Sequence, residues 1–425
     1  MDKTDNKTPK EINYIDLCCG LGGFRVAISR FETFKPDYIF KCVLSADIKE
    51  DALKTYNLNF NESNKKLDIF SIDEIPVKFD LLCAGFPCQS WSTAGNKKGF
   101  DDDRGQIIFK IISLCKKYQP KYVILENVAN LISIEKGKPL KIICDELRNI
   151  NYFVAYKKLN ALDFGVPQSR ERVFIVCSLV ELVDLDKINL IRPLAKLSSI
   201  IDTNAKYTDI EPVFADKILE LHSQTSLFGY KMQDKRGGQN NIHSWDIAVN
   251  GKLSMEERKL MNKIMTERRK KHWADKKNIV WMDGMPLTFI EIETFYKSLQ
   301  LQEMLDNLVS KNYLKLEKPK NLIQGKRVYD EKGLQGYNIC KGKLSFPITN
   351  ILDPESISPT LTATDSNKLA VIIDDKFIRK LNDNEVKLLC GFPISYKLPD
   401  KVNKYDLFGN MVIPNVVYAI LECIF

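Results

Sequence analysis

An α/β fold, with a doubly wound, mainly parallel sheet and a smaller inserted second domain, is predicted from three observations. Short runs rich in β-branched and aromatic residues recur along the chain with helical spacers between them. Those runs are continuously apolar and do not alternate, the pattern of strands buried on both faces. Between residues 186 and 350 the texture changes to polar tracts and long amphipathic stretches.

The expected strands are Ile12 to Cys18, Lys41 to Ala46, Phe79 to Cys83, Tyr122 to Leu125 and Arg172 to Cys177, with Leu369 to Ile373 repeating the signature near the carboxyl terminus. In the middle stretch, Ser254-Met-Glu-Glu257 and Thr288-Phe-Ile-Glu291 fit capping boxes that open helices. Leu301, Met304, Leu305, Leu308 and Val309 fall on one helical face. Three segments follow: 1–185 and 351–425 form the first domain, and 186–350 is inserted between them. No internal repeat is visible.

Composition narrows the function. The 425 residues suffice for about two to three domain-sized units, and 44% hydrophobic content fills real cores. With 63 Lys+Arg against 55 Asp+Glu, the excess of +8 permits a polyanionic partner without requiring one. Eleven cysteines include the adjacent Cys18 and Cys19 but no Cys-x-x-Cys, and His222, His243 and His272 lie far apart. Neither a zinc site nor a disulfide framework is expected. The polar amino terminus lacks a secretory core, and no uninterrupted apolar stretch reaches ~18 residues. A cytosolic location with reduced thiols is expected, with no membrane contact, and the roughly 11 residues ahead of the first strand leave no room for an added regulatory domain.

The chemistry-bearing segments sit at strand ends, where open α/β sheets place reacting groups. Asp16-Leu-Cys-Cys-Gly-Leu-Gly-Gly-Phe24 closes the first strand; such glycine turns bring backbone amides close to a nucleotide-like ligand, and they also serve plain tight packing. Asp47 ends the second strand, placed for a ribose, and Asp68 is placed for an adenine amine; each is equally readable as a solvated carboxylate. Cys88 lies in the loop Cys83-Ala-Gly-Phe-Pro-Cys-Gln-Ser-Trp-Ser92 after the third strand, and Glu126-Asn-Val128 follows the fourth. An acid at a buried strand end is costly unless paired or catalytic. Gln168-Ser-Arg-Glu-Arg172 precedes the fifth, with Arg170 and Arg172 on one side; the plain alternative is an ion pair with Glu171 or Glu126.

In this order the segments resemble the bacterial restriction-modification type of DNA (cytosine-5-)-methyltransferase. The resemblance rests on the glycine turn at 16–24, Asp47, GFPCQ at 85–89, GFDDDRG at 99–105, ENV at 126–128, QSRER at 168–172, Ser358-Pro-Thr-Leu-Thr-Ala363, Gly391-Phe-Pro393 and Gly409-Asn-Met-Val412. Only 186–350 lacks a match, as that family's variable target-recognition domain would. Three positions depart from the family pattern: Asp47 replaces the usual glutamate, Ile48 follows it where a large apolar residue is common, and Cys18 stands where an aromatic is common.

The resemblance implies a Rossmann-like S-adenosylmethionine-dependent fold, S-adenosylmethionine as cofactor with S-adenosylhomocysteine as product, and double-stranded DNA as partner. It implies no metal, a monomer in the bacterial cytoplasm associated with the nucleoid through DNA, and a cognate restriction endonuclease acting on the same sequence without a stable complex. Cys88, Glu126, Arg170 and Arg172 become the catalytic residues. Asp16, Cys18, Gly20, Leu21, Gly22, Gly23, Asp47, Ile48, Asp68, Ile69, Pro87, Asn410 and Val412 become cofactor contacts, and Gln89, Ser92 and Arg104 DNA contacts. To these the basic run Glu267-Arg-Arg-Lys-Lys-His-Trp273 adds Arg268, Arg269, Lys270 and Lys271 as phosphate contacts, or alternatively a solvated helix face.

Carbon 5 of cytosine is a poor nucleophile, so a thiolate from Cys88 would first add at carbon 6. A free thiol is only about 3% ionised at neutral pH, which calls for positive charge from Arg170 or Arg172. Glu126 would donate a proton to ring nitrogen 3, and the base would have to leave the duplex. Two rivals are weighed against this. A tRNA cytosine methyltransferase would carry Pro-Pro-Cys and Cys-Phe-Thr, whereas Phe86 precedes Pro87 here and no Cys-Phe-Thr occurs. A catalytically dead DNA-binding regulator would have no reason to keep Cys88, Glu126 and Arg172.

Overall fold

The computed structural model describes residues 8–87, 103–191, 193–234, 237–280, 284–340, 346–363 and 366–425. The chain divides into two compact units, one made of Met1–Ile201, Glu355–Ser366 and Asn382–Phe425, the other of Asp202–Pro354 and Asn367–Leu381.

In the first unit the elements run β1 (Lys10–Leu17), α1 (Gly23–Phe34), β2 (Tyr38–Ala46), α2 (Glu50–Phe60), β3 (Leu81–Gly85), α3 (Asp103–Tyr118), β4 (Tyr122–Val128), α4 (Lys138–Asn149), β5 (Phe153–Asn160) and β6 (Glu171–Ser178). The α/β class is as expected: six strands form one sheet in the order β2-β1-β3-β4-β6-β5. The first four are mutually parallel. Its centre is dry because Leu81 to Ala84 and Val123 to Leu125 are buried on both faces. Helix α4 shows the usual local logic: Pro139 opens it, and Leu140, Ile143, Cys144 and Leu147 bury one stripe.

Two features of the sheet were not expected. The edge strand β5 buries only Val154 and Leu159 along Phe153–Asn160, so it carries no continuous buried run. Strand β6 runs antiparallel to both β4 and β5. A connection of ten residues, 161–170, turns the chain back directly without a helical crossover, and antiparallel pairing is the outcome.

The second unit begins with α5 (Pro212–Gln224), β7 (Lys231–Met232), β8 (Asn241–Ile242), α6 (Met255–Glu267), α7 (Lys271–Lys276), α8 (Phe289–Glu293) and α9 (Leu301–Ser310). It continues with β9 (Leu314–Glu317), β10 (Lys320–Ile323), β11 (Lys326–Tyr329), β12 (Gly336–Ile339), β13 (Asn350–Ile351), β14 (Leu369–Ile373) and β15 (Phe377–Lys380). Both capping boxes form, at Ser254 with Glu257 and at Thr288 with Glu291. Helix α9 buries Leu301, Met304, Leu305 and Leu308. Short strands make a sheet in the order β15-β14-β13-β7-β8, beside the hairpins β10-β11 and β12-β9.

The segment Leu369–Ile373 therefore does not complete the first unit's sheet, because β14 pairs with β13 and β15 instead. At the other boundary, the amide of Leu197 donates to the Ser356 carbonyl at 2.9 Å, which keeps residues up to 201 in the first unit. The divisions thus fall at 201/202, 354/355, 366/367 and 381/382: the expected 185/186 lies too early, the expected 350/351 lies next to a division, and Asn367–Leu381 is a second stretch of the second unit.

The chain returns to the first unit through α10 (Asp383–Leu389), α11 (Lys404–Gly409) and α12 (Pro414–Ile424). Residues 404–424 are long and apolar enough to cross a membrane, but Pro414 separates α11 from α12 and most of the stretch is buried, as in a core. Phe31 of α1 lies 5.9–6.1 Å from the rings of Tyr38, Phe40, Tyr418 and Phe425. The Tyr38 hydroxyl donates to the Phe425 carbonyl at 2.9 Å. This cluster pins the last helix to the first. Replacing the fully buried Phe31 by Ala should cost about 3–5 kcal/mol, read as a fall in the urea midpoint of the first unit; a shift under about 1 kcal/mol would show that the cluster packs loosely.

Candidate active site

Glu126 stands near the end of β4, opposite Gly85 of β3, at 8% exposure. Arg172, near the start of β6, reaches it from the neighbouring strand, with Nε 3.0 Å from Oε1. Burial pushes the Glu126 carboxyl above its ordinary range, opposed by the charges of Arg172 and Arg170. At Gly85 an added Cβ would sit 3.0 Å from Val412 Cγ2 and 3.8 Å from Glu126 Oε2, so the glycine allows both to close in.

The next residue, Asn127, is a site residue in its own right. Its side-chain amide donates to the Phe86 carbonyl at 3.1 Å, and its oxygen accepts from the Val128 amide at 2.8 Å. The peptide just before Pro87 is thereby tied to β4. Cys88, Gln89 and Ser92 lie outside the described residues; Arg104 lies in α3, its side chain likewise outside the description.

Around the glycine turn, Cys18 and Gly20 adopt left-handed φ of 53° and 51°. Asp47 organises the turn by accepting from the Gly20 amide at 2.9 Å and the Lys49 amide at 2.8 Å. The Leu67 amide donates to the Asp47 carbonyl at 3.0 Å, bringing Asp68 alongside, where it caps the Phe70 amide. Burial first, then Asp47, Asp16 and Asp68, push the Cys18 thiol far up.

The glycines divide by role. A Cβ on Gly22 would meet Phe60 at 2.5 Å, and one on Gly23 would meet the Val412 carbonyl at 2.2 Å, so packing explains both. Leu21 is buried, and its carbonyl accepts from the Tyr396 hydroxyl at 2.5 Å. At Gly20 nothing lies closer than 4.0 Å, leaving open space over the turn. Next to it, Ile48 is 55% exposed, an apolar platform beside Asp47, whereas Ile69 is buried. An open glycine, a ribose-height carboxylate, an exposed apolar side chain and a second acid suit an adenosyl group.

Several expected site residues make contacts of another kind. Arg170 is 2% exposed and donates to the carbonyls of Leu361 at 3.2 Å, Gly409 at 3.2 Å and Met411 at 2.8 Å, while its charge also bears on Glu126. It staples the returning segment, as does Gln168 through the Leu389 carbonyl and the Leu361 amide. Asn410, at the carboxyl end of α11, donates its amide to Asp406, whose carboxylate also pairs with Lys49 beside Asp47. In the second unit Arg268 is 3% exposed, bonded to Asn338 Oδ1 at 2.6 Å, because the end of α6 packs inward. Arg269 is half-buried, while Lys270, paired with Glu267 at 2.6 Å, and Lys271 are exposed. Among the described residues no group of three or more His, Cys, Asp or Glu is arranged to hold a metal.

Asp16 was read as a cofactor contact from its place in the turn; it is fully buried at the end of β1. Burial raises its carboxyl from an ordinary 3.8 to about 8, against the pull of Arg25 and with added repulsion from Asp47. Between those values the folded chain binds a proton that the unfolded chain releases, so stability falls as pH rises. Asp16→Asn, neutral throughout, should flatten that fall; urea midpoints measured from about pH 5 to about pH 8 check it, and parallel curves for the two proteins would remove the assignment.

A family model described as C-5 cytosine-specific DNA methylase matches residues 12–425. The chain is 42% identical to the Type II methyltransferase M.NlaIV of Neisseria lactamica over 424 residues, covering 97% of this chain and 98% of that protein. It is 40% identical to M.NgoBV of Neisseria gonorrhoeae, with 97% and 98% covered. Among solved structures, the S. pombe Dnmt2 methyltransferase aligns at a TM-score of 0.52 and 16% identity over 97% of this chain and 98% of that one, a likeness of fold.

Proposed function

We propose, because this chain belongs to the C-5 cytosine-specific DNA methylase family and is a DNA cytosine-5-methyltransferase, that it acts through a covalent bond between Cys88 and a cytosine turned out of the duplex. The observation that carries this reading is the buried Glu126–Arg172 pair, set beside the strand that leads into Cys88.

The residues divide the work. Cys88 adds to carbon 6 as a thiolate, which breaks the ring's aromaticity and makes carbon 5 nucleophilic. Glu126, its proton favoured by burial, hydrogen-bonds nitrogen 3 and offsets the negative charge that grows there. Arg172 fixes the carboxyl's orientation and limits how far its pKa climbs, so that the proton can move. Asn127 anchors the Phe86 carbonyl and so sets where the Cys88 loop starts. Asp47, Asp68 and the exposed Ile48 would hold S-adenosylmethionine by its ribose, adenine amine and adenine face over Gly20. When bound, that cofactor supplies the activated methyl group. Loss of the carbon 5 proton and departure of the Cys88 sulfur then restore the ring.

The second unit is assigned to target recognition. Its partner is a specific duplex sequence, protected against a cognate endonuclease in the bacterial cytoplasm, with one chain acting as a monomer. Support comes from the relatives' naming as Type II methyltransferases and from their near full-length match.

Two substitutions test the mechanism. Cys88→Ala should abolish transfer of labelled methyl groups to duplex DNA while leaving duplex affinity within about threefold of wild type; residual turnover at wild-type rate would sink the nucleophile assignment. Glu126→Gln should slow single-turnover methylation by about 10²–10³-fold with cofactor affinity nearly unchanged. Equal losses in both measurements would make Glu126 structural.

A further inference from the structure

The cofactor site read above draws on two stretches from opposite ends of the chain, and one carboxylate joins them. Asp47 pins its own corner, with Oδ2 accepting from the Gly20 amide at 2.9 Å and Oδ1 from the Lys49 amide at 2.8 Å. The Lys49 side chain leaves that corner and places Nζ 2.7 Å from Oδ2 of Asp406, a residue 357 positions away on α11. The other oxygen of Asp406, Oδ1, accepts from the Asn410 side-chain amide at 3.2 Å, and the Asp406 carbonyl accepts from the same amide at 2.8 Å. Just beyond Asn410 is Val412, whose carbonyl walls Gly23. A polar chain thus runs from the glycine turn through Asp47, Lys49 and Asp406 to Asn410.

Neighbouring contacts hold the same two stretches in register. The Asn403 amide donates to Asp51 Oδ2 at 3.2 Å, the Lys397 amide to Asn59 Oδ1 at 2.7 Å, and the Asn59 side-chain amide back to the Lys397 carbonyl at 2.8 Å. The Lys49 and Asp406 side chains are 47% and 34% exposed, a setting in which an ion pair usually contributes little, because both side chains must be ordered in water. Here much of that ordering is already done: Asn410 holds the carboxylate, and the Lys49 stem is what remains to be fixed.

We propose that Asp406 is a positioning residue for the cofactor, a clasp that acts through Lys49 to fix Asp47 and Ile48 against the stretch from Asn410 to Val412. The inference rests on the S-adenosylmethionine reading above and adds to it the residue that couples the two halves of the site. Its contribution falls on cofactor binding and not on methyl transfer. Because the pair is exposed, salt screens it.

The test is calorimetric titration of the full-length protein with S-adenosylmethionine and, separately, with S-adenosylhomocysteine. Asp406→Asn should weaken both by the same factor, about three- to fivefold, and raise the cofactor KM to match, with kcat at saturating cofactor and the urea midpoint close to wild type. Lys49→Gln should do the same, and the double variant should bind no more weakly than the weaker single. A direct field effect would behave differently: S-adenosylmethionine carries a net positive charge, so removing Lys49 would then tighten its binding. Arg148→Gln, which breaks a surface pair with Asp145 on α4, should change nothing. Tighter S-adenosylmethionine binding by Lys49→Gln, additive losses in the double variant, or unchanged affinity in Asp406→Asn each overturns the clasp. A loss of affinity matched by a fall in the urea midpoint also overturns it, by making the pair merely structural. Wild-type protein that binds neither titrant is a separate outcome, which overturns the cofactor reading itself.

Discussion

The polarity of a single strand governs the active site. Because β6 runs against β4, its beginning lies at the edge where β1, β3 and β4 end. Residues 168–172 are delivered to that edge with it. A parallel crossover strand in the same slot would have placed them at the far side of the sheet. Glu126 would then be a buried carboxylate without Arg172, a state that costs several kcal/mol. The acid, its cation and the staple residues Gln168 and Arg170 all depend on this reversal.

Much of this was legible in the residues. Asp47 and Asp68 come together beside the glycine turn, and Glu126 meets Arg172, because each lies at the end of a strong local element. The polarity of β6 was hidden: a run such as Val173 to Cys177 reads the same in either direction, and only the length of the preceding connection hints at it. Strand β5 was hidden by its sparse burial, with lysines at 157 and 158 on an edge.

The anchoring contacts of Arg170 were hidden for a related reason. Its partners are carbonyls 191 to 241 residues away, and no local pattern announces a hydrogen bond of that span. Arg268 sits in a run whose charge suggests a wet surface, yet it follows a helix that buries Leu260, Met261, Ile264 and Met265 on the adjoining turns. Leu369–Ile373 has the composition of a buried sheet strand and is one, but in the other sheet. Composition marks burial and leaves the choice of partner to tertiary packing.

The contact between Gly23 and the Val412 carbonyl has a bearing on biosynthesis. The glycine turn leaves the ribosome long before the stretch that walls it, with the entire second unit translated in between. Until then the nascent polypeptide presents an unfinished pocket with an apolar edge, and a truncated translation product would be inert and a ready client for chaperones.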